Sequence, residues 1–420
     1  MYSYIRKLLK KIGPGFITGA ADDDPSGIGT YFTAGAKFGF GHIWTPFFTF
    51  PLMTAVQEIC ARIGMVTGRG LAGVIRENYS KKLLYFCVVL LVAANTINIG
   101  ADIGAMANAV GLLLPNQPFG FIAGALTLLI ICLEVFISYK TYSRILKIFA
   151  FSLLAYWLTA FFVKIDWSVV FTNVIKPQWR WDLDYVMILV GVLGTTISPY
   201  LFFWQASEEV EEEIIEGKVT LEQRLGATKI EIKEMREDVV LGMLFSNISM
   251  FFIIAVAAST LFANGIFEIG TAEQAALALR PLAGDWAYLL FTFGIIGTGL
   301  LAIPVLAGAA SYAVTEALKL QGSLALKWNR AKGFYGVILT STIVGLLINF
   351  IGINPMKALL YAAVINGIVS VPLLFVIMKI SNDSEVMGEY KNGMIANFLG
   401  WAATIAMTVA AVFLLISFLF

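Results

Sequence analysis

Three adjacent carboxylates followed by a proline, Asp22-Asp23-Asp24-Pro25-Ser26-Gly27, stand inside an apolar run from 13 to 38. A charged side chain at membrane depth costs at least about 2.5 kcal/mol on insertion scales, so its presence there signals function. Pro25 removes a backbone donor and Gly27 weakens helix propagation, so the run is expected to break midway. Freed carbonyls beside a carboxylate are ligands for a cation. A second break of this kind is expected in Gly194-Thr195-Thr196-Ile197-Ser198-Pro199-Tyr200, near the middle of the run 185 to 207. Asp24 is the expected cation ligand, with the Ser26 hydroxyl close to it at the first break. Asp22 and Asp23 point in other directions; one is expected to line the path, with Asp23 the lining candidate, and the other to pair structurally.

The elements that must hold these residues are membrane helices. The 420 residues are 59% hydrophobic and 14% charged, far outside the soluble range. Eleven apolar runs can be read along the chain: 13 to 38, 43 to 66, 83 to 111, 118 to 138, 146 to 163, 185 to 207, 238 to 262, 284 to 316, 334 to 351, 355 to 378 and 394 to 419. With alternating sides, 23 of the 29 Lys and Arg fall on the side of the N-terminus. The positive-inside rule then puts the N-terminus in the cytoplasm and the C-terminus outside the plasma membrane. Two interrupted helices five spans apart are the pointer to an inverted-repeat transporter whose site lies at the bilayer midplane. The basic start of the chain carries no convincing cleavage site and is read as retained.

Other classes find no support. A net charge of +1 with scattered basic residues gives no nucleic-acid surface. Cys60, Cys87 and Cys132 lie in apolar segments and read as packing residues, and no zinc spacing exists. No nucleophile with a base and no phosphate loop suggests an enzyme, and no cofactor is implied.

The segments GPGFITGAADDDPSG, GAKFGFGHIWTPFF and QEICARIGMVTGRGLA, with SNDSEVMGEYKN before the last span, resemble the NRAMP family of divalent-metal transporters over nearly the whole chain. The resemblance implies an all-α leucine-transporter-type fold in one transmembrane domain, 1–420. Repeat one would cover about 13–163 and repeat two about 185–378, with helix 11 at 394–419 and helices 1 and 6 broken. It also implies a metal held by an Asp, an Asn, a Met sulfur and a carbonyl three residues before that Met. The matching positions here are Asp24, Gly27, Ser198 and the Thr195 carbonyl, so the amide and the sulfur are gone. An all-oxygen site suits hard cations, and small residues at 27 and 198 are expected to leave room for the waters magnesium keeps. This is closer to the family's magnesium-transporting branch.

The family's proton-handling residues depart as well. Tyr200 stands where a His is usual, and Asp102 lacks its Glu partner, with Ala105 in that place. The chain's one histidine, His42, falls in an expected outer loop. Weak or absent proton coupling follows. The substrate expected is Mg2+, with Mn2+ also carried, by a monomer in the lipid bilayer; the alternatives are a proton-coupled Mn2+/Fe2+ symporter and, less favoured, an organic-solute carrier of the same fold.

Asn95 and Asn98, and Asn366 with Ser370, share helix faces and could line the ion's water shell or join helices. Glu58 and Arg62 read as an intrahelical ion pair. The polar segment 208–237 is expected to form one or two amphipathic cytosolic helices, with Glu208, Glu209 and Glu212 as an acidic inner vestibule.

Overall fold

The structure is a computed structural model that describes residues 13–137, 139–269 and 272–417. It contains helices and connecting turns, with no strand among the described residues. Span 1 is two helices, α1 (Pro14–Asp22) and α2 (Pro25–Phe38), as the proline required. There follow α3 (Thr45–Thr67), α4 (Leu71–Asn78), α5 (Lys81–Leu113), α6 (Phe119–Phe136), α7 (Tyr139–Ala150), α8 (Leu154–Phe161) and α9 (Trp167–Ile175). Span 6 is again split, into α10 (Leu183–Thr196) and α11 (Pro199–Ile215). The chain continues through α12 (Lys229–Thr260), α13 (Ala272–Ala317, kinked at Gly284), α14 (Lys332–Ile348), α15 (Pro355–Asn382) and α16 (Met394–Ser417).

Among the described residues, eight stretches are long and apolar enough to cross a bilayer by themselves, and α14 is a shorter apolar helix. The broken span 1 and α3 are helical where spans were expected, but their carboxylates, prolines and Glu58–Arg62 pair make them more polar. Span 5 starts earlier than expected, at Tyr139, and tightens to a 3-10 turn at Phe151–Leu153 before α8.

Burial sorts the helices into a centre and a rim. The most apolar window of the α10–α11 stretch is 94% buried, against 28% for α6 and 33% for α16. The rim helices turn side chains such as Phe121, Leu128, Phe398 and Val409 outward, as lipid requires. Around the centre, backbones meet at glycines. A Cβ on Gly19 of α1 would lie 2.2 Å from the carbonyl carbon of Gly242 on α12, and one on Gly64 of α3 would lie 2.2 Å from the Ala206 carbonyl oxygen of α11. Small residues bring membrane helices together in this way because dispersion contacts, rather than hydrophobic exclusion, hold them.

Buried carboxylates tie helix ends. Asp238 of α12 accepts from the Gly13 and Gly15 amides at 2.8 and 2.7 Å, satisfying the first turn of α1 from another span. Glu316 does the same for α4, accepting from Gly70 and Gly73 at 2.8 Å each. The Glu58–Arg62 pair forms at 3.1 Å and is joined by Arg236 at 2.9 Å. Arg62 also donates to Asn392 at 2.7 Å and to the Tyr390 carbonyl, which fastens the loop before α16 onto α3.

The polar segment corrects the sequence reading. Its first third continues α11 to Ile215 and its last third begins α12, leaving only a single turn, Leu221–Arg224, between them. The glutamates find partners inside, so the helix need not end. Glu211 accepts from Tyr312, Ser323 and the Leu324 amide at 2.9 to 3.0 Å, and Glu209 accepts from Gln205 at 2.8 Å.

His42, in the turn between α2 and α3, is fully buried and stacked on Tyr185 with ring centroids 4.1 Å apart. Burial pushes its imidazole from the ordinary 6.5 down to about 3, so it stays neutral. Between those values the unfolded chain takes up a proton that the folded one refuses, so stability falls as pH drops below about 6.5. From pH 7 to 5 this contribution is roughly 2 kcal/mol. The melting temperature of His42→Phe should therefore decline less over that interval than that of the wild type; parallel declines would contradict the assignment.

Candidate metal centre

The break in span 1 is two residues long. Asp23 (φ −86°, ψ 54°) and Asp24 (φ −66°, ψ 168°) both leave the helical region, and Asp24 is the N-cap of α2. Its Oδ1 accepts from the Gly27 amide at 2.6 Å and the Ser26 hydroxyl at 2.8 Å, while Oδ2 accepts from Asn98 Nδ2 of α5 at 2.5 Å. A carboxylate at a helix N-terminus is the expected cap for exposed amides and a positive dipole end. The break in span 6 is built alike, with Ile197 (φ −120°, ψ 62°) and Ser198 (φ −90°, ψ 139°) between α10 and α11. Here the Ser198 hydroxyl donates to the carbonyls of Gly194 and Thr195 at 2.5 and 2.8 Å.

The two breaks touch. The Tyr200 hydroxyl donates to the Ala21 carbonyl, freed where α1 ends, at 2.8 Å. Tyr31 of α2 and Thr195 share a hydrogen bond of 2.7 Å between their hydroxyls. Asp102 of α5 closes another side, its Oδ1 accepting from the Ser26 amide at 3.2 Å. Asp24 is 1% exposed and Asp102 and Ser198 are fully buried, so the group lies inside the protein. Asn98 Oδ1 and Asp102 Oδ2 keep lone pairs with no donor facing them. Buried acceptors in excess of donors are what a cation would satisfy.

Of the residues expected at a site, Asp24, Ser26, Gly27, Asn98, Asp102, Thr195, Ser198 and Tyr200 are therefore brought together at Pro25 and Pro199. Asn95 is not: its Nδ2 donates to the Leu306 carbonyl of α13 at 2.8 Å, joining two helices. Asn366 lies beside Gly367, whose backbone meets α10 at Gly194, and both its polar atoms are buried without a partner. Asp23 makes no hydrogen bond to the others: both its carboxylate oxygens are buried without a partner.

The room expected at Gly27 is taken. A Cβ there would sit 2.8 Å from Thr195 Oγ1 and 3.2 Å from the Asp22 carbonyl oxygen, so the missing side chain lets span 6 close on span 1 instead of leaving a water-sized gap. Gly27→Ala should accordingly slow uptake about tenfold, and adding Thr195→Ala should recover part of that rate although it removes a hydroxyl. Additive losses would show that the two positions do not compete for one space. Of the glutamates expected at an acidic vestibule, Glu208 and Glu209 are 1% and 6% exposed, packed inside the continued α11, while Glu212 is half-buried.

Tyr31 and Ser246 escaped the sequence reading. Tyr31 is one helical turn from Gly27, a spacing that places it on the same face. Ser246 of α12 carried no such signal, because its contact with Asp22 at 2.8 Å depends on how α12 crosses α1.

Comparison with known proteins agrees with this architecture. Residues 15–417 match the family model described as natural resistance-associated macrophage protein-like. The divalent metal cation transporter MntH of Verminephrobacter eiseniae is 27% identical over 95% of this chain and 86% of its own, and that of Bacillus subtilis is 24% identical over 98% and 93%. Among solved structures, a manganese transporter from Eremococcus coleocola, in complex with an aromatic bis-isothiourea compound, superposes with a TM-score of 0.72 at 18% identity, covering 98% of this chain and 87% of that one. Mhp1, a nucleobase-cation-symport-1 transporter in a closed conformation, superposes at 0.54 with 12% identity, over 96% and 90%. Interrupted spans meeting at a buried carboxylate are thus set in a fold these transporters share, and the match over almost every residue assigns the chain to the natural resistance-associated macrophage protein family of divalent metal cation transporters.

Proposed function

We propose that this transporter takes up Mg2+, and Mn2+ beside it, through the centre at Asp24, with little or no proton coupling. The observation that carries the reading is the donor set at the two breaks: a carboxylate, carbonyls, hydroxyls and an amide oxygen, without the sulfur ligand or histidine that the family resemblance led one to expect at Ser198 and Tyr200. Oxygen ligands favour hard cations, and magnesium is commonly held through one or two carboxylates with water completing the shell. Asp24 carries the charge, Asn98 and Asp102 offer spare acceptor oxygens, and Thr195 and Ser198 present the carbonyl and hydroxyl of the second break. Waters would enter only when the breaks part, because Gly27 and Thr195 close the space between them.

Alternating access requires α1 and α11 to move relative to the helices they touch, and the Tyr200–Ala21 and Tyr31–Thr195 bonds are the ones that must open on the two sides. The chain's single histidine is neutral and outside the centre. Transport would then run on the cation gradient and the membrane potential, worth about 4.6 kcal/mol for a divalent ion at 100 mV. The protein would act as a monomer in the plasma membrane, N-terminus in the cytoplasm.

Uptake into proteoliposomes with an inside-negative potential tests this, with Mg2+, Mn2+ and Ca2+ offered separately and a pH dye in the lumen. Entry of Mg2+ and Mn2+ at a flat lumen pH supports it. Manganese entering with protons while magnesium is refused would identify a proton-coupled transition-metal symporter instead.

A further inference from the structure

The loop that fastens α16 to α3 also closes one end of a cavity of about 760 Å3 between α3, α12 and the start of α16. Its polar end has a fixed frame. Arg62 is buried and donates to Glu58 at 3.1 and 3.2 Å and to Asn392 at 2.7 Å. The Tyr390 hydroxyl donates to the Ala227 carbonyl just before α12, so the same loop grips two spans. Beside this frame stand Arg236 of α12 and Lys391. The Arg236 side chain is 57% exposed and engages only Nη2, with Glu58 at 2.9 Å. Lys391 is exposed and has no ion-pair partner among the described residues.

The deeper lining is apolar, with Phe50, Pro51 and Ala55 of α3, Val240 of α12, and Ala396 and Leu399 of α16. All three walls pass from charge to hydrocarbon in the same direction. On α3, Arg62 and Glu58 give way to Ala55 and Pro51; on α12, Arg236 is followed one turn later by Val240; on the third wall, Lys391 precedes Ala396 and Leu399. The α3 wall from Arg62 to Phe50 spans about 18 Å of helix rise. Met394 and Ile395, 89% and 75% exposed, flank the groove on its open side. A site charged at the bilayer surface and apolar toward the bilayer core has the polarity of a phospholipid headgroup above its acyl chains.

Charge narrows the headgroup. Arg62, Arg236 and Lys391 face Glu58 and Glu389 in this groove, three cations against two carboxylates. A phosphodiester without an ammonium group neutralises the excess, whereas a zwitterionic headgroup brings back as much positive charge as it removes. Lys and Arg at the membrane surface attract anionic lipids for the same reason.

We propose that this groove binds one anionic phospholipid, its phosphate on Arg236 and Lys391 and an acyl chain along Pro51, Ala55 and Leu399. With the N-terminus in the cytoplasm, the lipid comes from the inner leaflet. Arg236 stands two residues before Asp238, which accepts from the first turn of α1, so the lipid grips the same turn of α12 that holds the first half-helix.

Native mass spectrometry of the purified full chain, titrated with phosphatidylglycerol and separately with phosphatidylcholine, tests the proposal. The wild type should retain one phosphatidylglycerol with a preference of at least about tenfold, and Arg236→Gln/Lys391→Gln should lose that preference. Lys81→Gln/Lys82→Gln alters exposed basic residues outside the groove and should keep it. Ala396→Trp keeps every charge but fills the apolar part, and should weaken phosphatidylglycerol about tenfold as well. Melting temperatures report folding; should Ala396→Trp fail to fold, the double glutamine variant, made at exposed side chains, carries the test. Equal retention of the two lipids, or a preference that survives in Arg236→Gln/Lys391→Gln, overturns the site. Stabilisation by inorganic phosphate equal to that by phosphatidylglycerol also overturns it, since it would mark a free-anion site.

Discussion

Asp24→Asn should reduce Mg2+ uptake at least about 100-fold, with the protein still folded. The substitution keeps shape and removes only the charge, so Ser26, Gly27 and α5 keep their packing. Asn98, which now donates to Asp24 at 2.5 Å, would face an amide oxygen in place of a carboxylate oxygen. A hundredfold loss corresponds to about 2.7 kcal/mol, within the range of a single charge-assisted contact and below what an ion in a dry site can draw from its counter-charge. Initial rates in proteoliposomes, with the melting temperature as a folding check, decide the matter. A folded Asp24→Asn protein that transports at even a tenth of the wild-type rate would move the centre elsewhere. Asp102→Asn serves as comparison: its carboxylate accepts only from the Ser26 amide at 3.2 Å and does not cap α2, so a smaller loss is expected.

The other large effect belongs to packing. Gly194→Val should leave little folded protein, because a Cβ at this position would lie 2.2 Å from the Ala363 carbonyl oxygen and 2.5 Å from the Gly367 amide nitrogen. Both obstacles are backbone of α15 and neither can rotate away. Separating α10 from α15 would also shift Thr195, one residue on, away from Tyr31 and Gly27. The expected cost is at least about 3 kcal/mol, the upper part of the range for overpacking, which is a large share of the stability of a typical domain. Gly124→Ala is the matched control. Nothing lies within 4 Å of a Cβ there, so it should be neutral or gain about 0.5 to 1 kcal/mol from helix propensity. Yield of monodisperse protein and melting temperature measure both; a Gly194→Val protein that melts with the wild type would mean the helices do not approach as described.

These two effects come from opposite demands on the same four half-helices. A cation centre of the proposed kind needs backbone that is not helical, so that carbonyls and an N-cap carboxylate are left free to act as ligands. The bilayer tolerates such backbone only when protein surrounds it completely. Glycine contacts at Gly19, Gly64, Gly194 and Gly242 meet the second demand by bringing whole helices against the breaks. The carboxylates of Asp238 and Glu316 meet it at helix ends, where amides would otherwise face an apolar interior.

The sequence by itself determined that this is an all-helical membrane protein, that its first and sixth spans break at Pro25 and Pro199, and that Asp24 stands at one break with Thr195 and Ser198 at the other. Those features are local: a proline has no amide hydrogen whatever surrounds it, and an apolar run long enough to span lipid is legible in composition. The family could also be read from linear segments. Only the tertiary structure decided that Asn98 reaches Asp24 while Asn95, three residues earlier, ties α5 to α13; side chains on neighbouring parts of one helix face meet different helices according to how those cross. It likewise decided that Gly27 admits Thr195 rather than water, that glutamates in the last turns of α11 are buried partners of Tyr312, Ser323 and Gln205, and that Asp24 meets Asn98 of α5 while Asp22 meets Ser246 of α12. Each of these depends on distances between segments tens to hundreds of residues apart, which helix periodicity does not encode.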